Sequence, residues 1–172
     1  MSISYRHISA ELLAKFLEQQ DEDALKTYMF EEHPPFPYSI HHYETGEYFP
    51  LIRDYLDPDD DPTSLLWHVV EGMHPVIRDG LPPDNIYLGQ VRYLSPAEVQ
   101  TIARQMLEIT PRKGIKRYMD WRHIDNEDLV WEEDPSDYTG YRFVWSLFQD
   151  MLCFFRIAEE AGDGILRCQT DY

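Results

Sequence analysis

The chain has 172 residues, a length typical of one domain, and its 43% hydrophobic and 14% aromatic content excludes a disordered or low-complexity chain. Its 15 Lys and Arg against 32 Asp and Glu give a formal charge of −17, which repels phosphate backbones and anionic lipid, so neither nucleic acid nor membrane is an expected partner. The two cysteines, Cys153 and Cys168, form no CxxC pair, and no leader-like or membrane-length apolar run is present, so a reducing cytoplasm is the expected compartment.

Along the chain, "SISYRHI" alternates Ile3, Tyr5 and His7 against Ser2, Ser4 and Arg6, the period of a half-buried strand. Ser9 then supplies an N-cap, and Leu12, Leu13, Phe16 and Leu17 make a helical stripe through about residue 19. A short second helix follows the acidic residues 21–23, with Leu25, Tyr28 and Met29 inward, and ends before His33-Pro34-Pro35. Residues 33–48 carry prolines, a glycine and no sustained period, which predicts an ordered aromatic loop, and "FPLIRDYL" predicts a brief helix.

Asp57, Asp59 and Asp61 stand at alternate positions, as in a calcium loop. The sixth and twelfth places of such a loop require Gly and Glu, and here they hold Pro62 and His68. Asp61 is therefore expected as an N-cap and Pro62 as the first residue of a helix that buries Leu65, Leu66, Val69 and Val70 and ends at Gly72. "IYLGQVRYL" reads as one or two short strands broken at Gly89. In "SPAEVQTIARQMLEI", Ser95, Pro96 and Glu98 form a capping box, and Val99, Ile102, Ala103, Met106 and Leu107 give a buried stripe, with Pro111 and Gly114 closing the region. Residues 125–137 gather acidic groups around Trp131, predicting a solvated loop or short helix. A broad-faced helix over about 140–161 ends at Gly162, and "GILRCQ" suits a closing strand. The sum is one α+β domain over residues 1–172, with a small sheet of N-terminal, central and C-terminal strands covered by several helices.

Three segments, "VRYLSPAEVQTIARQM", "FFRIAEEAGDGIL" and "LDPDDDPTSLLWHVVEG", resemble the YfbM-like family, a bacterial domain of unknown function. His68 stands one place off the family's pattern, a rotation of about 100° on a helix, so no role is carried over to it. The resemblance implies an α+β fold and a bacterial cytoplasmic protein. Through the gene neighbourhoods of some such domains it also implies a toxin-immunity role.

No nucleophile elbow, phosphate loop or dinucleotide fingerprint is present, so no catalytic set and no cofactor are nominated. His33, His41, His42 and Glu44 lack a metal-ligand spacing, and no metal is expected. Cys153, among Leu152, Phe154 and Phe155, reads as an inert core thiol. The leading expectation is a non-catalytic acidic binding protein of immunity type, which neutralises a basic toxin or effector by direct contact. Trp131 would be its anchor, surrounded by Asp128, Glu132, Glu133, Asp134 and Asp137. The alternative is a small enzyme or ligand-binding domain with a pocket under loop 33–48, where His41 or His42 moves a proton and Tyr38 or Tyr43 positions the ligand. Oligomeric state is open.

Overall fold

A computed structural model describes residues 2–31, 42–45, 48–77, 91–122 and 139–170. Strand β1 (Ser2–Ile8) is hydrogen-bonded on both edges, to β2 (His42–Glu44) and to β5 (Gly164–Thr170). Beyond β5 lie β4 (Arg92–Leu94) and β3 (His74–Pro75), giving an antiparallel sheet of order β2-β1-β5-β4-β3. The stretch expected to be half-buried is buried at every residue from 3 to 8. Its alternation is real, but helices cover both faces, and the polar residues on β1 are accommodated individually. Ser4 Oγ donates to Glu44 at 3.1 Å, His7 Nε2 lies 3.0 Å from the Phe154 carbonyl, and the Arg6 guanidinium sits 5.1 Å from the Tyr28 ring centre.

One face carries Ile8, Leu166 and Cys168 against helices α1 (Ala10–Gln19) and α2 (Glu22–Lys26), which contribute Leu13, Phe16 and Leu25. Ser9 caps α1 as expected, its hydroxyl accepting from Leu12 N–H at 3.2 Å. The helix ends where Gln20 turns left-handed (φ 52°), and the Gln20 side chain donates to the carbonyls of Leu17 and Val76, each at 3.0 Å. A single π-helical turn, Thr27–Glu31, extends α2 and buries Met29.

The opposite face carries Ile3, Tyr5, Ile165 and Leu94 beneath the larger core. Its helices are α3 (Phe49–Leu56), α4 (Trp67–Glu71), α5 (Pro96–Leu107), α6 (Pro111–Arg122) and α7 (Thr139–Ala161). The capping box of α5 is formed: Ser95 N–H donates to Glu98 at 2.7 Å and Glu98 N–H donates to Ser95 Oγ at 3.4 Å. Val99, Ile102, Ala103 and Met106 are buried, whereas Leu107 is 48% exposed. Instead of closing the region, Pro111 starts α6, its fixed φ suited to a first turn. Gly114 lies inside that helix because a side chain there would overlap the Tyr55 hydroxyl.

Two further expectations change. The helix foreseen from Asp61 begins only at Trp67. Asp61 Oδ1 instead accepts from both the N–H and the hydroxyl of Thr63, at 2.9 and 2.7 Å, and Ser64 Oγ accepts from Leu66 N–H at 3.2 Å. These local side-chain bonds hold a turn in place of a first helical turn. Cys153 is exposed on α7, and the buried thiol is Cys168, which burial pushes up to about 11. Among the described residues, no helix is long and apolar enough to cross a membrane and no His, Cys, Asp and Glu group is arranged to hold a metal.

Candidate functional site

Where α4 ends against the sheet, a cavity of about 360 Å³ opens between that helix, β4 and β5. Its chemistry follows from strand alternation. On β5, Ile165 points under the helices, so Arg167 and Gln169 share its face. On β4, Leu94 points the same way, which places Arg92 there too. The pairing sets Arg92 directly opposite Arg167, and both line the cavity.

Like charges opposite one another on neighbouring strands destabilise a sheet. Yet neither guanidinium makes an ion pair among the described residues. Arg167 is only 4% exposed, and its Nε is buried without a hydrogen-bond partner among the described residues, while one terminal nitrogen donates to Gln169 at 3.3 Å. Burial lowers its affinity for its proton, Tyr5 and Glu71 act in the opposite sense, and Arg92 lowers it further. Arginine nevertheless stays charged in proteins, so the site holds a buried, under-satisfied cation. Across the register from Arg167 stands Tyr5, fully buried, whose hydroxyl also has no hydrogen-bond partner among the described residues and whose ionisation is pushed well up by burial. Glu71, the acid of the cavity wall, is engaged by Arg53 at 3.4 Å.

The other wall comes from α4. Gly72 closes that helix at φ +74°, and a side chain there would approach the Arg92 stem to 2.6 Å, so the glycine lets the helix end seat against Arg92. His68 Nδ1 lies 3.2 Å from the Gly72 carbonyl. A carbonyl only accepts, so Nδ1 carries the proton and Nε2 is left as an acceptor in the neutral ring. Trp67 is steered by Nε1 donating to Asp60 at 2.9 Å, and its ring meets His68 edge to face at 5.0 Å. The arrangement amounts to two arginines facing each other across the strands, an aromatic wall, and a lining acid that Arg53 already engages, suited to receiving an anion beside the arginines.

Sequence reasoning did not nominate these residues. The signal available was an arginine in phase with apolar neighbours on a strand, as in Ile165-Arg167 and Arg92-Leu94, within a strongly acidic chain. Of the nominated residues, Asp128, Trp131, Glu132, Glu133, Asp134 and Asp137 lie outside the described residues, as do Tyr38 and His41. His42 pairs with Arg6 at the sheet edge. Tyr43 packs between Tyr5 and Phe154, with its hydroxyl donating to the Leu147 carbonyl at 3.3 Å.

The family model described as "Domain of unknown function (DUF1877)" matches residues 1–167. The chain belongs to this family. A crystal structure described as a protein of unknown function, YfbM, from Escherichia coli is similar over 98% of this chain and 99% of that one, with a TM-score of 0.63 and 13% identity. The likeness bears out the resemblance and the α+β fold foreseen from the sequence. A search of curated proteins finds no match. Family and neighbour are both described as of unknown function, so a functional reading rests on this chain's own residues.

Proposed function

We propose that this member of the family is a ligand-binding protein that takes a small anion into the cavity between α4, β4 and β5. The observation that carries the reading is the Arg92–Arg167 pair: two guanidiniums on adjacent strands, one of them 4% exposed with its Nε unpartnered among the described residues. An oxyanion accepting from both guanidiniums would relieve their repulsion, and planar guanidiniums match carboxylate and phosphate oxygens in a two-point fashion. Calorimetric titration with inorganic phosphate and with acetate tests it. Saturable binding at one site, weakened by Arg92→Gln, is expected, and absence of binding to either anion at low ionic strength rejects it.

A second reading is supported by the charge of −17 and the acidic run 125–137: an immunity-type protein of the bacterial cytoplasm that captures a basic toxin through Trp131 and Asp128, Glu132, Glu133, Asp134 and Asp137. Affinity capture at low salt should then return one dominant basic protein that Trp131→Ala releases. Recovery of none counts against it.

A further inference from the structure

We infer that the anion taken by the Arg92–Arg167 cavity carries a planar aromatic ring, stacked or edge-packed on Trp67, with its carboxylate or phosphate held by the two arginines. The inference rests on the anion-binding reading and adds the chemical class of the ligand.

Size is the first ground. The cavity of about 360 Å³ lies at the small end of organic-ligand sites, which run from roughly 300 to 1,000 Å³. At roughly 30 Å³ per water it has room for about a dozen waters, so a bare oxyanion leaves most of it to solvent. The cavity therefore has room for an organic body beside the anionic group.

The walls are the second ground. The cations stand on the strand side, at Arg92 and Arg167, the helix presents Trp67, and Met73, just past the helix end, also lines the cavity. Trp67 is half-buried, and it is held rather than free: Nε1 is bonded to Asp60, whose own backbone is fixed in a left-handed turn (φ 47°), and the ring abuts His68. A tethered indole offers contact area at little further entropic cost, and thioether and indole together favour an aromatic partner over an aliphatic one.

The third ground is what each polar group has left to offer. Glu71 is engaged by Arg53, and the remaining ring nitrogen of His68 is an acceptor. The cavity thus recognises one anionic end strongly, while the body meets the flat face of Trp67 with His68 and Gln169 as the neutral polar side chains of the lining.

Four probes decide the matter on the full chain: acetate against benzoate, and inorganic phosphate against phenyl phosphate, followed by calorimetry. Each ring-bearing probe should bind at least about tenfold more tightly than its ring-free counterpart, the return expected for burying one aromatic face. Trp67→Ala should bring each pair to within about twofold, Trp67→Phe should keep most of the ring's advantage, and Arg92→Gln should weaken all four probes. Equal affinity within the pairs in the wild type, with the Arg92 dependence retained, overturns the ring assignment and leaves the anion reading standing. A ring advantage that survives Trp67→Ala also overturns it. No binding by any probe rejects both. The wild-type comparison needs no variant, so loss of folding in Trp67→Ala does not shield the inference.

Discussion

Replacing Arg92 by Met separates a structural arginine from one kept for a ligand. Methionine retains a long unbranched stem to pack against Gly72 and removes the guanidinium charge with its N–H donors. Arg92 opposes Arg167 across the β4–β5 pair, with neither paired to an acid among the described residues. Like charges at contact, about 4 Å apart, repel by about 4 kcal/mol at an effective dielectric of about 20, which bounds the effect for this facing pair from above. Arg92 is only half-buried, so solvent and salt reduce the figure to about 1 kcal/mol. Arg92→Met should therefore raise the melting temperature in dilute, anion-free buffer, by about 2–4 °C for a domain of this size. With ligand the order should reverse. The wild type gains about 2.7 kcal/mol at a ligand concentration one hundred times Kd, whereas the variant, having lost the site, does not follow. Differential scanning calorimetry with and without phosphate reads both halves. A variant that melts below the wild type in anion-free buffer refutes the reasoning, because it would make Arg92 a net stabiliser of the empty fold.

Three further outcomes follow from the packing. Gly114→Ala should destabilise by about 1–3 kcal/mol in urea unfolding, since its methyl group overlaps the Tyr55 hydroxyl, and Tyr55→Phe in the same chain should recover part of that loss. Cys153 should react with a thiol reagent in the native protein, while Cys168, buried and pushed up to about 11, should react only on unfolding; two fast thiols would contradict the placement. Glu98 is held below the ordinary glutamate value: burial opposes the shift, but hydrogen bonds from Ser95 and His74 outweigh it. Its contribution is thus complete above the unfolded value of about 4.3 and is lost as pH falls through the folded one, so the stability gap between wild type and Glu98→Gln should be constant near neutrality and narrow in acid. A gap that widens in acid would contradict this.

Local signals were the most legible part of the fold. Ser9, the Ser95–Glu98 box and Gly162 act within one or two helical turns, and each ends or starts a helix as its residue type dictates. The strand period at both chain ends also carried over. What failed depends on tertiary surroundings. Nothing within "SISYRHI" announces that helices cover both faces, and Gly114 looks like punctuation until Tyr55, far away in sequence, is found above it. The Asp61 start was lost to competing Asp and Ser side-chain bonds, which sequence spacing alone does not rank. Cys153 looked buried because its neighbours are apolar, but it lies on the outer side of α7. The site was the least legible of all. Arg92 and Arg167 are 75 residues apart, and only the β4–β5 register brings them together.

If an oxyanion binds beside the buried Arg167, the Nε–H resonance of that side chain should report on it. In a nitrogen-15 titration with phenyl phosphate, the Arg167 Nε–H and Trp67 indole signals should shift together and saturate with one dissociation constant, and Arg92→Gln should raise that constant by at least about tenfold. Saturation of either signal without the other, or an unchanged constant in Arg92→Gln, would contradict the account.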